Sequence, residues 1–380
     1  MINIYNTADT NHINGTVVGS LSTTDVIEIV LLGLTLIVGL LGNVLVITVI
    51  SCYREMLTRT NIFLLNVAIA DLGALLFCLP FVLTSILHQE WRLGNIFCHI
   101  QGFMNTFWLC ASVFTLIGLS VHKYFSIKKP ARRIITTRRA LIMIIVSWIV
   151  AGLCAAVPFI GWNRIIFKPY SKFCAPAPSE TTAQYVHVIF LFFISYILPI
   201  VVVAYLYVRI FQAVSTHRKL IRKTRVIDDR GILGQKRILV TICIVFVVSM
   251  LFWTPFYCHS LLVLTVGVGT KSHHLLRFTY ICGFLSNACN PVIYFLRNPR
   301  FRRGFIEILS CYRLRYFPNG KQLNSSRFSS SSVISRDVPV GYLAEKRCSM
   351  WYFSGENSLL NIIPVEPERR LKLRWIETNL

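Results

Sequence analysis

Asp71 is an acid in apolar company. It lies in Leu65-Asn66-Val67-Ala68-Ile69-Ala70-Asp71-Leu72, deep in a run with no second carboxylate. Uncharged polar side chains sit in other apolar runs of the chain: Asn43, Ser112, Ser286, Asn287 and Asn290. An ionisable group in such surroundings is costly unless partnered, so it marks function. Carboxylate, hydroxyl and amide oxygens are hard donors, and together they suit a sodium ion held at Asp71. They suit equally a water-filled polar network that lets packed segments slide. No other cofactor is indicated. No nucleophile is spaced with a base, no glycine-rich loop is placed to cradle phosphate, and no Cys/His spacing suggests zinc. The chain therefore reads as no enzyme.

The segments that must position these groups follow from composition. Of 380 residues, 54% are apolar and only 14% charged, whereas a soluble globule carries roughly 25% charge. Too few charges remain to cover a water-facing surface, which excludes an ordinary cytosolic enzyme. The apolar residues fall in seven blocks near Val26–Ile50, Asn61–Leu87, Ile96–Phe125, Ala140–Ile160, Gln184–Ile210, Ile238–Val266 and Leu275–Leu296. Each has about the length a helix needs to cross a bilayer, and in hydrocarbon the backbone must pair internally. The expected fold is an all-α membrane protein: a seven-transmembrane helix bundle with an amphipathic eighth helix and a disordered cytosolic tail. Its divisions are 1–25 for an extracellular N-terminus, 26–296 for the bundle, 297–311 for the amphipathic helix and 312–380 for the tail. Pro80, Pro158, Pro199, Pro255 and Pro291 each remove a helical hydrogen bond and predict kinks.

Basic residues set the orientation. Arg54 and Arg59, then Lys128 to Arg139, then Arg218 to Arg237 cluster in alternate connections, while the others carry few. The N-terminus should face out and the C-terminus the cytosol, as in a multi-pass plasma-membrane protein. No basic stretch precedes the first block, so that block is expected to act as an uncleaved anchor. The net charge of +23 then belongs to cytosolic loops beside anionic lipid, and nucleic acid is no partner. Asn14-Gly15-Thr16 is a glycan acceptor on the outer side. Cys98 and Cys174 are outer cysteines without another outer partner and should pair. In Phe301-Arg302-Arg303-Gly304-Phe305-Ile306-Glu307-Ile308, the residues Phe301, Phe305 and Ile308 share one face, so this helix lies on the inner leaflet. Cys311 behind it is a palmitoylation candidate or a free thiol. The Ser325–Ser335 stretch suits kinase phosphorylation and arrestin capture, or is simply a solvated tail.

These features together resemble the rhodopsin-like (class A) family of G-protein-coupled receptors. The likeness rests on Gly42-Asn43-Val44, the Asn66–Asp71 run, Trp148, Pro158, Pro199, Tyr207, Phe252-Trp253-Thr254-Pro255 and Asn290-Pro291-Val292-Ile293-Tyr294. It implies a receptor whose outer ligand shifts an inner equilibrium so that a heterotrimeric G protein exchanges nucleotide. It also places Tyr207 and Tyr294 with the Asp71 group as switch residues, and Lys123, Tyr124 and Ala131 at the G protein. The chain departs from the family pattern. His122-Lys123-Tyr124 replaces Asp-Arg-Tyr, and Gln235 replaces the acid that often faces the arginine. Lysine keeps the charge but lacks the planar fork, so the resting clamp should be missing and basal signalling raised. Ser249 stands where the family has Phe, and Ala131 is a small version of the usual apolar knob.

By the same resemblance, ligand enters the bundle from outside, because the N-terminal segment is too short to capture it. Asn105 stands where amine receptors carry an Asp, and Phe284 where opsins carry their retinal Lys. The expected pocket is Asn105, Thr106, Leu109, Ser195, Trp253, Phe256, Tyr257, Tyr280 and Phe284, an aromatic site with a few hydrogen-bonding groups. A neutral indole-like molecule, a lipid or a short peptide would fit. Arg277 at the outer mouth attracts an anionic group or snorkels. Two other readings are kept: a receptor-like protein that couples weakly and modulates other receptors, and a transporter, which should show internal repeats.

Overall fold

The computed structural model describes residues 21–128, 134–169, 172–177, 179–224, 229–266 and 273–316. Asn14, Ala131 and the Ser-rich tail lie outside the described residues, as do the side chains of Gln235 and Cys311. By its internal contacts the chain divides into Met1–Ile308 and Leu309–Leu380, and the bundle belongs to the first unit.

Ser22 starts the first helix, α1 (Thr23–Cys52), through a capping box with Asp25, which satisfies amides that the first turn leaves open. A 3-10 turn at Arg54–Met56 leads to α2 (Arg59–Phe77), capped by Thr58. Pro80 is in the first turn of α3 (Leu79–His88); the missing amide breaks the second span at Cys78. Next comes α4 (Gly94–Lys128), then α5 (Thr137–Ala156). At Pro158 α5 tightens into a 3-10 turn, Val157–Ile160. A hairpin follows, β1 (Ile165–Lys168) antiparallel to β2 (Phe173–Pro176), with Phe167 opposite Cys174. The fifth span is α6 (Thr182–Phe192) and α7 (Leu198–Thr224), joined by a π turn at Phe193–Ile197 just before Pro199. Pro255 lies within α8 (Asp229–Val266) and Pro291 within α9 (His273–Arg297). The last helix, α10 (Pro299–Tyr316), begins two residues after the expected 297 and runs beyond the residue 311 limit expected from the sequence.

Six of these spans are long and apolar enough to cross a membrane by length and composition. The seventh, α9, carries Arg277, Thr279, Ser286, Asn287 and Asn290 among its apolar residues. Together they form a bundle built for lipid. Large apolar side chains such as Ile37, Leu41, Ile149 and Leu153 face outward, while Asn43, Asp71, Thr115, Ser120 and Asn290 are buried. Inside, α1 packs on α2 and α9, α4 on α2, α5 and α7, and α8 on α9. Gly42 is required at one of these contacts: a Cβ there would lie 2.7 Å from the Pro291 ring. Trp148 and Thr115 both hydrogen-bond Asn66, tying α5 and α4 to α2. On α10, Phe301 and Phe305 are buried and Arg302 and Arg303 exposed. Tyr53 donates to Glu307 at 2.7 Å, holding α10 against the base of α1.

Candidate functional site: a polar cavity along the bundle

Asp71 on α2 is 1% exposed. Its carboxylate accepts a 2.7 Å hydrogen bond from Asn290 Nδ2 on α9, and Ser112 on α4 is its second polar neighbour. Asn43 donates to Gly39 O (2.9 Å) and to Asn287 O (3.0 Å), which joins α1 to α9. Ser286 and Asn287 instead donate to carbonyls of their own helix, Gly283 and Phe284. The group therefore has a hub of Asp71, Ser112 and Asn290, with Asn43 as a strut. Oδ1 of Asn43 and Oδ1 of Asn290 are buried without a protein donor. Buried polar atoms normally have partners, and the Asn290 oxygen, beside the Asp71 carboxylate and Ser112, belongs to a hard-cation donor set. The residues thus fit sodium. Among the described residues, no cluster of His, Cys, Asp or Glu suits another metal.

One cavity links this hub to Asn105, Leu109, Trp253, Tyr280 and Phe284, passing Ser249. Its room for water centres is ≈ 30 Å³, and one water takes about 10–15 Å³ on that measure. It has room for an ion or two waters, not for a drug-sized ligand. The remaining pocket candidates are placed elsewhere. Ser195 and Tyr257 hydrogen-bond each other at 2.6 Å, against Phe192 and Tyr196. Thr106 bonds the backbone of Gly102. Phe256 packs edge-on to Trp253 and against Tyr280 without lining the cavity. The resemblance implied one pocket for all of these; side-chain pairing leaves Asn105, Leu109, Trp253, Tyr280 and Phe284 on the common space.

The mouth is closed by the hairpin. Cys98 and Cys174 form a disulfide, and Gln101 accepts from the Cys174 amide. Phe173 is fully buried, its ring centroid 4.7 Å from Tyr280. Lys172 donates to Gln89 O at 2.7 Å, and burial, chiefly, holds its ammonium below the usual lysine range. Arg277 is neither snorkelled nor open to an anion. It pairs with Asp25 at 2.7 Å and Glu28 at 3.5 Å. Asp25 also accepts from Ser22 and Gln89. Sequence reasoning missed this cluster, although two acids three residues apart at the head of an apolar block were its signal.

At the opposite end, Lys123 forms no ion pair among the described residues, and Lys123 and Arg59 are the charged neighbours of His122. The His122 ring packs on Phe63. Tyr124 accepts from Lys128 at 2.7 Å. Tyr207 donates to Leu239 O, whereas the Tyr294 hydroxyl is buried without a partner over Phe301. The two tyrosines are thus engaged differently and do not bond each other.

Residues 42–294 match the family described as "7 transmembrane receptor (rhodopsin family)", and the chain belongs to that family. It is therefore a receptor and a multi-pass membrane protein, not an enzyme. The melatonin receptor type 1A of Gallus gallus is 29% identical over 80% of this chain and 86% of its own length. The galanin receptor type 1 of Homo sapiens is 29% identical over 75% of this chain and 82% of its own. A GQ-coupled rhodopsin of Mizuhopecten yessoensis is 26% identical over 71% of this chain, which spans only 57% of that protein. The crystal structure of squid rhodopsin superposes with a TM-score of 0.70 at 21% identity, covering 76% of this chain and 87% of that one.

Proposed function

We propose that this receptor sits in the plasma membrane with its N-terminus outside, takes an extracellular ligand into the bundle, and activates a heterotrimeric G protein with raised signalling in the absence of ligand. The unpaired Lys123 carries this reading. With no acid on it among the described residues, and with Gln235 where a family acid often stands, little holds the inner end shut. A ligand need then supply only a small difference in affinity between the two arrangements to shift the population. Relatives named for melatonin, for galanin and for rhodopsin differ too much to choose the ligand. Without a carboxylate at Asn105 or a lysine on α9, neither an amine counter-ion nor a retinal Schiff base is available. A small neutral molecule, a lipid or a short peptide remains, and it must open the Phe173–Tyr280 lid.

Asp71, Ser112 and Asn290, on α2, α4 and α9, would hold a sodium ion, whose charge would favour the closed arrangement by this reading. Receptor kinase and arrestin act on the Ser-rich tail, Asn14 carries glycan and Cys311 palmitate, on the sequence grounds given above. The test is a panel of G-protein activation sensors in cells expressing the chain, read first without ligand. Activity above mock-transfected cells is expected, and Lys123→Arg with Gln235→Glu should lower it. Silence of every sensor would favour the second reading, a receptor that modulates others; the Lys123 and Ser249 departures motivate it.

A further inference from the structure

Two thiols meet inside the bundle, apart from the polar cavity. Cys110 on α4 is fully buried and Cys154 on α5 is 3% exposed. Both belong to one core cluster with Ala70, Ala111 and Ala151. Ala111 stands on α4 and Ala151 on α5, and such small side chains let two helices approach closely. The sulfurs touch there: the Cys110 thiol donates a hydrogen bond to the Cys154 sulfur. Neither is in a disulfide. Cys78 is buried as deeply, but among the described residues it is the one cysteine of a different cluster.

A solitary buried cysteine packs as a small apolar side chain and needs no role. A pair in contact can also do chemistry, because the second thiol captures what the first becomes on oxidation. Hydrogen peroxide turns one thiol into a sulfenic acid and leaves as water. The neighbouring thiol then attacks that sulfur, the S–S bond forms, and a second water departs. Two thiols and one peroxide thus give one disulfide and two waters, the peroxide taking the two electrons. The surroundings select the oxidant. Apolar walls exclude charged reagents, whereas hydrogen peroxide is small, neutral and soluble in lipid. The way in is short, since α5 ends at Ala156 and Leu153, beside Cys154, is 65% exposed on the lipid-facing side.

We propose that Cys110 and Cys154 are a redox modification site, a dithiol that closes to a second disulfide on exposure to hydroperoxides. The bond ties α4 to α5 beside Tyr257 of α8, which neighbours Cys110 and is bonded to Ser195. The site does not depend on the ligand or on G-protein coupling. It is tested with the full chain in phosphatidylcholine nanodiscs treated with millimolar hydrogen peroxide. After the peroxide is removed, remaining thiols are alkylated as the chain unfolds, and unreduced digests are read by mass spectrometry. A peptide bearing Cys110 should appear joined to one bearing Cys154, two hydrogens lighter than their sum, and dithiothreitol should separate them. Without peroxide both should be recovered alkylated. Cys110→Ala and Cys154→Ala should each abolish the cross-link and leave the Cys78 peptide alkylated as in the wild type. An intact Cys98–Cys174 bond certifies the fold of each variant, and the wild-type result stands without them. Recovery of both residues as free thiols after peroxide, their oxidation to sulfinic acids without a cross-link, or their joining to other cysteines would overturn the proposal.

Discussion

Breaking the Arg277 cluster should loosen the lid end of the receptor by a calculable amount. Arg277 Nη1 reaches Asp25 at 2.7 Å and Glu28 at 3.5 Å, with side-chain exposures of 16%, 5% and 10%. A contact pair at an effective dielectric of about 20 gains about 4 kcal/mol before desolvation. Desolvating three groups takes back part of this, leaving a net coupling of about 2 kcal/mol. Arg277→Met does more harm than that, because two acids then stay nearly buried without their guanidinium; about 3 kcal/mol is expected. Asp25→Asn keeps a side chain able to bond Ser22, and Arg277 retains Glu28, so about 1.5 kcal/mol is expected. At about 2 °C per kcal/mol for a chain of this size, the single variants should melt about 6 °C and 3 °C lower. The double variant should melt about 5 °C lower, not the additive 9 °C. A thiol-reactive dye reads this directly, because Cys78, Cys110, Cys154 and Cys282 are buried and become reactive on unfolding. Additive losses, or an unchanged Arg277→Met, would refute the cluster as a coupled unit.

Sodium at ten times its dissociation constant should stabilise the wild type by about 1.4 kcal/mol, and Asp71→Asn should erase the difference between sodium and choline buffers in the same melting assay; a persistent difference would place the ion elsewhere. Burial pushes the Lys168 ammonium from 10.5 down to about 8. The unfolded chain then binds more protons than the folded one between these values, so wild-type stability should rise from pH 8 to pH 10.5 relative to Lys168→Met and run parallel to it below pH 8. A parallel course throughout would contradict that assignment. Gly42→Ala sets a Cβ 2.7 Å from the Pro291 ring and should destabilise by about 1–3 kcal/mol through overpacking, seen as a lower melting temperature; a neutral result would mean that α1 and α9 part easily.

The sequence by itself determined the spans, because a hydrocarbon solvent leaves a chain with long apolar blocks little choice but paired helical backbone. Buried acids are rare enough in such blocks that Asp71 identified itself, and Phe301, Phe305 and Ile308 declared the apolar face of α10 by their spacing, though the sequence assigned it to the inner leaflet and the structure packs Phe301 and Phe305 into the bundle core. Tertiary structure decided what required distances between segments far apart in the chain. Arg277 and Asp25 are 252 positions apart, and no periodicity joins them. Ser195 and Tyr257 were expected in the pocket from the family resemblance, yet they satisfy each other and leave the cavity to Asn105, Trp253 and Phe284. A helix face is set by local periodicity, whereas which faces share a space is set by packing, and packing depends on all seven spans at once.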